Sequence, residues 1–513
     1  MSIRTFAAID IGSFELSMKI FEFSGKNNMH EIECVRQRID LGSDTYADGK
    51  ISNEKTDELC RTLKEFSSIM KTYKVEAYRA YGTSAIRETE NSTILLDQIE
   101  QRTGIHVDVL SNSEQRFLDY KSIASKGESF RKIIEDKTAI LDIGGGSIQL
   151  SLFENDTLVS TQNLRLGVLR IQELLHHVST GNAKMENVID EMATAQLSIY
   201  KKLYLKDREI HNIIVVDDYL SPWAVKKAAK DNRQPMINEE EFEAFMSVLR
   251  SRSVTDIAKI MDIAEERVPL VMISAVLIRR IALLMGADCI WVPGVTLCDG
   301  IAYEYAEKIK MFQGEHDFEK DIIACAMNIS KYYMGSKKRA ETLEKIATTV
   351  FDSMKKVHGL GKRERLYLRI AAILHDCGKY VGLVNIGENS YNIIMATEII
   401  GLSHMERKMV ANVVRFIYSK FLYYGQTGMN GMDKESYLVV AKLTAILRIA
   451  NSLDRSHKQK LKGLKATLHE NELILHVDSQ EDITLEACFF EQRAELFTEV
   501  FSITPVLKQK KNF

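Results

Sequence analysis

Alternating apolar and polar positions form the same pattern in two distant segments of the chain. Residues 7–18 read AAIDIGSFELSM, and residues 139–152 read AILDIGGGSIQLSL. In each segment an apolar run ends in Asp-Ile-Gly and an alternating run follows, which is the pattern of a β-hairpin. Aligning Asp10 with Asp142 and Ser13 with Ser147 leaves Gly145 and Gly146 as the only insertion. Two matched hairpins predict a duplicated lobe with a cleft between its halves.

The remaining periodicity separates a mixed first half from a helical second half. Apolar spacing predicts helices at 54–73, 113–125, 185–205, 238–260 and 268–286. Buried strands are predicted at 107–110, 211–216 and 289–295. From about residue 306 to 456 the pattern is almost continuously helical, and strands are predicted again at 465–479 and 482–489, before a basic tail. We therefore predict four domains, spanning residues 1–126, 127–306, 307–460 and 461–513.

Composition narrows the class of protein. The chain has 513 residues, of which 45% are hydrophobic and 27% charged, and only 5 are proline, so we expect several folded domains. A net charge of −3 does not favour a nucleic-acid partner. Seven cysteines without a CxxC pair indicate reduced thiols. With no apolar run of roughly 18 residues and no leader pattern, we expect a cytoplasmic protein without a membrane span.

The two glycine turns are the strongest candidate chemistry. Glycine lets backbone N–H groups approach an anion, and a nearby carboxylate can hold Mg²⁺ or orient water. Asp10, Gly12 and Ser13 supply these parts in the first turn. The second turn supplies them again through Asp142, Gly144, Gly145, Gly146 and Ser147. The alternative is that each Asp only caps its own turn, but the matched pair favours binding of a phosphate.

Five motifs occur in an order that resembles a known family. They are AAIDIGS (7–13), YGTSAIRETEN (81–91), VLSNSEQRF (109–117), AILDIGGGSIQLSLFE (139–154) and NLRLGVLRI (163–171). Together they resemble the exopolyphosphatase/guanosine-pentaphosphate phosphohydrolase (Ppx/GppA) family, part of the actin–hexokinase–Hsp70 superfamily. The resemblance implies an α/β fold with two actin-like, ribonuclease H-like lobes. A helical HD-like domain and a small α+β domain would follow them.

The resemblance also implies a site and a reaction. Terminal phosphate of polyphosphate or guanosine pentaphosphate would lie between the glycine turns and be hydrolysed, with Mg²⁺ held by Asp142 and Asp10. Glu114 would be the base that activates water, although Ser111 and Glu114 also have the pattern of helix-capping residues. Arg87, Thr83 and Ser84 would contact phosphate. Guanosine tetraphosphate is a further candidate ligand, and a homodimer is expected from the family's C-terminal half.

Departures from the family pattern keep other functions open. Phe14 and Glu15 replace an Asn-Ser pair, Gln149 replaces a Glu, and residues 217–223 lack an expected glycine loop. These changes are compatible with a polyphosphate- or alarmone-binding sensor that has lost catalytic power. A small-molecule kinase of the same superfamily is a further alternative.

A second resemblance concerns the helical half. AAILHDCGK (371–379) and LRIANSLDRSH (447–457) are similar to helices of metal-dependent HD phosphohydrolases. His375 and Asp376 match the central ligand pair, but Arg339 and Asn451 stand at the outer ligand positions. A guanidinium cannot bind a cation and an amide brings no charge. We therefore interpret His375-Asp376 as a structural remnant, with an HD nucleotide phosphohydrolase as the alternative.

Overall fold

The structure, a computed structural model, describes residues 3–176, 182–314, 316–429 and 431–510. It forms two compact units, Met1–Asp317 and Phe318–Phe513. The three boundaries between the four predicted domains stay a prediction, because this division separates only the two units.

The first unit begins with a five-stranded sheet. Its strands are β1 (Arg4–Ile11), β2 (Glu15–Phe23), β3 (Met29–Arg38), β4 (Ala77–Gly82) and β5 (Asp108–Val109), in the order β3-β2-β1-β4-β5. The first three strands are antiparallel neighbours, whereas β4 and β5 continue the sheet in parallel. The accompanying helices are α1 (Leu41–Asp48), α2 (Asn53–Thr72), α3 (Ser84–Glu88), α4 (Ser92–Thr103), α5 (Asn112–Ala124) and α6 (Glu128–Ile134).

A second sheet repeats this topology. Its strands are β6 (Thr138–Ile143), β7 (Ile148–Phe153), β8 (Leu158–Leu164), β9 (Asn212–Asp217), β10 (Met236–Asn238) and β11 (Cys289–Trp291), in the order β10-β11-β9-β6-β7-β8. Here too an antiparallel trio, β6 to β8, is extended in parallel by β9 and β11. The accompanying helices are α7 (Val168–His176), α8 (Asn182–Tyr200), α9 (Ser221–Lys230), α10 (Glu239–Ser251), α11 (Val254–Met261), α12 (Val268–Met285) and α13 (Leu297–Lys308).

The matched hairpins are therefore the central strands of two similar lobes. Asp10 pairs with Ser17 across the first hairpin, and Asp142 pairs with Gln149 across the second. All six residues of β6 are buried, as expected for a strand covered on both faces. The predicted duplication is confirmed by this shared strand order.

One described helix is long and apolar enough to cross a membrane by length and composition, spanning Glu265–Met285. Most of it is buried, and it packs in the core of the second lobe. The two arginines of α12, Arg279 and Arg280, pair with Glu243 and Asp190. A helix at the centre of a protein core meets the same criteria, and we interpret α12 as such a helix.

The second unit is helical and ends in a small sheet. Its helices are α14 (Phe318–Tyr332), α15 (Lys337–Ser353), α16 (Lys355–His358), α17 (Lys362–Leu374), α18 (Ile386–Ala396), α19 (His404–Tyr418), α20 (Lys434–Ser452) and α21 (Thr484–Phe501). The sheet has the order β12 (Gly463–His469), β13 (Glu472–Asp478), β14 (Thr504–Lys510).

Three predicted elements differ from the structure. The strand predicted at 482–489 is wrong, because Thr484 begins α21 and the segment buries Glu486 and Phe490 at helical spacing. The helix predicted at 238–260 is interrupted before Ser253, whose side chain accepts from the Asp256 N–H and starts a new helix. The described part of the basic tail, up to Lys510, belongs to β14, which pairs in parallel with β13.

A glycine contact fixes α5 within the first unit. Gly300 of α13 lies against the backbone of Leu118 in α5, so that a Cβ at Gly300 would lie 2.0 Å from the Leu118 carbonyl oxygen. Residues of both helices share a core with β1 and β2, in which the Phe6 and Tyr305 rings stack 4.0 Å apart. The position of α5 therefore depends on the missing side chain at residue 300.

We predict that Gly300→Ala lowers the free energy of unfolding by about 2 kcal/mol, because a Cβ forces α13 away from α5. Helix propensity alone predicts the opposite sign, since alanine is favoured over glycine by about 1 kcal/mol. Chemical denaturation measures the difference. Lys308→Ala, at an exposed position of α13, is the control and should change stability by less than about 0.5 kcal/mol. A Gly300→Ala protein as stable as the wild type would contradict this account.

Candidate functional site

Both aspartate turns open into one cavity. Asp10 and Asp142 line a cavity of about 80 Å³, in which Thr83, Asp217 and Thr296 also take part. Asp10 lies near the end of β1 and Asp142 near the end of β6, while Thr83 and Asp217 stand at the ends of β4 and β9. The carboxyl ends of parallel strands are the usual place for a ligand in an α/β fold. The predicted shared crevice is confirmed.

The two turns have the same local geometry. The Gly12 N–H donates to the Glu15 carbonyl over 3.1 Å, and the Gly144 N–H donates to the Ser147 carbonyl over 3.0 Å. Each bond closes its own hairpin, so these two donors are already used.

Most of the predicted site residues surround this cavity, but four do not. The predicted residues that line it are Asp10, Gly12, Ser13, Thr83, Ser84, Asp142, Gly144 and Gly145. The predicted residues outside its lining are Arg87, Glu114, Gly146 and Ser147.

The second glycine turn packs directly against the first lobe. A Cβ at Gly145 would lie 2.9 Å from the Ser13 Cβ, and a Cβ at Gly146 would lie 2.5 Å from the Tyr46 hydroxyl. The hydroxyls of Ser13, Tyr46 and Ser84 are joined by hydrogen bonds of 2.8 to 3.0 Å. Glycine is required here because of this close approach. Tyr46 was not predicted, since nothing in its local sequence distinguishes it from a core tyrosine.

Two of the predicted residues outside the lining are engaged elsewhere in the first lobe. Glu114 completes a capping box at the start of α5, where its Oε2 accepts from the Ser111 N–H at 3.0 Å and the Ser111 hydroxyl at 2.7 Å. Arg87 donates to the Leu110 carbonyl at 2.7 Å. The capping alternative for Glu114 is thus formed in the structure, and the catalytic role of Glu114 stays a prediction.

The helix that Glu114 caps brings two other side chains to the cavity, Gln115 and Asp119. They are four residues apart and therefore share one face of α5. Neither was predicted as a site residue. The helical period starting from Gln115 could have identified Asp119, had the cavity-facing side of α5 been known.

Acidic side chains dominate the charged groups that line the cavity. The lining includes Asp10, Asp119, Asp142 and Asp218, and none of the described lining residues is lysine or arginine. One oxygen each of Asp10, Asp119 and Asp142 is buried without a hydrogen-bond partner. An isolated buried carboxylate is costly unless a proton or a cation accompanies it.

Burial shifts the proton affinities accordingly. It raises the pKa of Asp142 to about 7, an effect that contact with the Asp119 carboxyl and the charge of Arg116 partly offset. Burial also raises the pKa of Asp119 well above its usual range, and the adjacent Asp142 carboxylate adds to this. The pKa of Asp10 is likewise raised by burial, then by the charges of Asp218 and Glu15.

Positions that depart from the family pattern have distinct structural uses. Gln149 accepts from the Arg116 Nε at 2.7 Å, so its amide is held on Arg116. Asp217, at the segment without glycine, accepts from the N–H groups of Leu220 and Ser221 at 2.9 and 2.8 Å and so caps the start of α9. Its carboxylate is therefore satisfied, unlike those of Asp10, Asp119 and Asp142.

Two ion pairs join the two lobes. Glu15 of β2 pairs with Arg267, which precedes α12, at 2.8 Å. Arg170 of α7 pairs with Glu88 of α3 at 2.5 Å. The Arg267 guanidinium also lies 5.7 Å from the centre of the Phe14 ring. Phe14 and Glu15 thus form an inter-lobe contact.

Comparison with known proteins agrees with this architecture. The profile described as Ppx/GppA phosphatase family matches residues 20–309, more than half of the chain, and that of Ppx/GppA phosphatase, domain III, matches residues 324–499. The chain belongs to the Ppx/GppA phosphatase family.

Solved structures show the same actin-like fold in other Ppx/GppA proteins. An exopolyphosphatase from Cytophaga hutchinsonii is 20% identical with a TM-score of 0.53, covering 60% of this chain and 100% of that one. The Aquifex aeolicus member of the Ppx/GppA family is 17% identical with a TM-score of 0.50, covering 60% and 99%.

The names of the curated relatives give different activities. The bifunctional 3-dehydroquinate synthase/phosphatase of Fusobacterium nucleatum is 25% identical over 33% of this chain and 26% of its own length. Exopolyphosphatase 1 of Mycobacterium tuberculosis is 26% identical over 32% of this chain. This match covers just under half, 46%, of the mycobacterial protein. The guanosine-5'-triphosphate,3'-diphosphate pyrophosphatase of Aeromonas hydrophila is 20% identical over 87% of this chain and 86% of its own length.

The domain III match contains the HD-like motif. Arg339 donates to Asn451 Oδ1 at 3.0 Å and also contacts His457 and, at 4.0 Å, Asp454. His375 is fully buried, and its Nδ1 hydrogen-bonds the Ala372 carbonyl at 2.8 Å. Among the described residues, no group of three or more His, Cys, Asp or Glu side chains is arranged to hold a metal ion. An HD-like origin of this unit stays a prediction.

Burial lowers the pKa of His375 to about 4. The ring is therefore neutral in the folded protein at pH 5, whereas in the unfolded chain, with a pKa near 6.5, it is protonated. The unfolded state then binds more protons, so the stability that neutral His375 contributes is complete above pH 6.5 and declines toward pH 4.

We predict that protonation of His375 in the unfolded chain lowers the free energy of unfolding of the wild type by about 2 kcal/mol between pH 7 and pH 5. The His375→Gln variant should not show this part of the decrease. Unfolding free energies of both proteins at the two pH values give the comparison. Other histidines contribute equally to both proteins and cancel. Equal pH dependence in the two proteins would show that His375 does not titrate in this way.

Proposed function

We propose that this chain is a Mg²⁺-dependent phosphoanhydride hydrolase that releases orthophosphate from the end of inorganic polyphosphate or from guanosine pentaphosphate. The observation that carries the proposal is the single cavity shared by Asp10 and Asp142, each with a buried carboxylate oxygen that has no hydrogen-bond partner. The names of the mycobacterial and Aeromonas relatives support this reaction class.

The size of the cavity favours a terminal phosphate as the enclosed group. Its volume of about 80 Å³ is well below the roughly 300–1,000 Å³ of pockets for drug-sized ligands. It therefore suits a phosphate group better than a guanosine moiety. In this proposal only the end of the substrate enters the cavity, and the rest of a polyphosphate or nucleotide remains outside.

The donor set fits a magnesium ion. A phosphate cannot lie among these carboxylates without a positive charge between them, and none of the described lining residues is lysine or arginine. Mg²⁺ usually binds through one or two carboxylates together with substrate phosphate oxygens and water, so it does not require a three-ligand cage. Asp142 and Asp10 would hold the ion, which when bound supplies the charge that offsets the phosphate.

The other residues would position and activate the reactants. The hydroxyls of Ser13, Thr83 and Ser84 lie in the lining and can donate to phosphate oxygens. Glu114 is the proposed base, which requires its carboxylate to leave the Ser111 cap and turn toward the cavity. Apo geometry by itself does not exclude such a movement.

We predict that the purified chain releases orthophosphate from long polyphosphate, short polyphosphate or guanosine pentaphosphate only when Mg²⁺ is present. Asp142→Asn should lower the rate about 100-fold or more, because one cavity carboxylate is lost. Asp97→Asn, on the exposed side of α4, is the control for an Asp-to-Asn change. Phosphate release is measured by a colorimetric assay. No release from any of the three substrates with Mg²⁺ would overturn the proposal.

We predict that Glu114→Gln lowers turnover about 100-fold while polyphosphate binding is retained. Turnover, filter binding of polyphosphate and thermal unfolding are measured on the same preparation. If Glu114 is only a capping residue, the variant instead loses up to about 1 kcal/mol of stability and keeps its turnover, and the assignment as base fails.

A further inference from the structure

Asp119 is a buried carboxylate for which the proposed reaction has no role so far. It lies on α5, one helical turn after Gln115, and is 4% exposed. It lines the cavity with Asp10 and Asp142, and its Oδ2 is buried without a hydrogen-bond partner. An unpartnered buried carboxylate oxygen beside a polar cavity requires an explanation, and a cation is a partner that would compensate its charge.

The neighbouring side chains cannot supply that partner. Lys121 follows on the same helix, but its ammonium pairs with Glu304 and Glu307. Arg116 donates to Gln149 and to Thr161. Neither Lys121 nor Arg116 is part of the cavity lining. The positive charge that Asp119 lacks must therefore come from outside the protein.

The cavity has also lost a carboxylate at the position where the family pattern has glutamate. Gln149 brings no charge, and its amide is held by Arg116 outside the lining. Asp119, which is carried by α5 rather than by β7, contacts the Asp142 carboxyl. A carboxylate on the helix thus stands beside Asp142 where the strand no longer provides one.

We propose that Asp119 and Asp142 together form the carboxylate pair that binds the divalent cation at this site. Two carboxylates from different elements, each with an unpartnered buried oxygen, match the one or two protein ligands that Mg²⁺ commonly takes. Asp10 lines the same cavity from the first turn, so in this inference Asp119 takes the place of Asp10 as the second ligand, and Asp10 adds negative charge beside the cation. The inference deepens the proposed function, because the cation is the one that the hydrolysis uses.

Cation binding can be measured without turnover. Mn²⁺, which prefers the same oxygen ligands, is titrated into the full-length protein and its free fraction followed by electron paramagnetic resonance. We expect Asp119→Asn to weaken Mn²⁺ binding about tenfold or more. Asp97→Asn, the matched change at an exposed position, should bind as the wild type does. Equal affinity of Asp119→Asn and the wild type would overturn the proposal.

Thermal unfolding shows whether the Asp119→Asn variant is folded. A ligand that binds only the folded state raises the unfolding temperature, so Mn²⁺ should stabilise the wild type and Asp97→Asn more than Asp119→Asn. We expect Asp119→Asn without cation to be at least as stable as the wild type, because a buried carboxylate without a cationic partner has been removed. A full Mn²⁺-induced shift in Asp119→Asn would contradict the inference.

The two proposals fail in different ways. If the wild type releases phosphate with Mg²⁺ and Asp119→Asn binds Mn²⁺ normally, the hydrolase stands and the role of Asp119 is wrong. If Mn²⁺ binding depends on Asp119 but no substrate releases phosphate, the cation pair stands and the hydrolase fails.

Discussion

The direct contact between the second glycine turn and the first lobe is the constraint on which the candidate site depends. Gly145 meets Ser13, and Gly146 meets Tyr46, at distances that leave no room for a side chain. Because of this contact Asp10 and Asp142, which lie 132 residues apart in the sequence, border the same cavity. The ion pairs Glu15–Arg267 and Glu88–Arg170 reinforce the same arrangement.

The close contact between the lobes places several carboxyl groups near one another, and their charges need compensation. Asp119 and Asp142 are buried beside this contact and Asp10 is half-buried, and each has a buried oxygen without a partner. Asp217 shows how a carboxylate in the same cavity is satisfied when helix N–H groups and hydroxyls surround it. For one oxygen of each of the other three, the described residues supply no such donor, so a cation is the simplest partner.

Helix α5 shows how neighbouring residues acquire different roles. Glu114 reaches back to Ser111 and caps the helix, whereas Gln115 and Asp119 face the cavity. Arg116, between them, is directed to Gln149 and Thr161. These differences follow from the rotation of about 100° per residue along a helix. Gly300 lets α13 pack against the backbone of α5 and so fixes the position of this helix.

The sequence determined the duplicated hairpins, the glycine turns and the cavity residues that these turns carry, because hairpin patterning and glycine chemistry are local properties. Predictions were wrong where one pattern is compatible with two kinds of element and tertiary packing determines which one forms. The segment of α21 is an example, because its apolar positions fit both the two-residue period of a strand and the 3.6-residue period of a helix. The capping position of Glu114 follows from a local pattern, whereas the positions of Asp119 and Tyr46 were decided only by the tertiary structure. Which face of α5 meets the cavity depends on its packing against α13 and the second lobe, and no local pattern in the sequence records those long-range contacts.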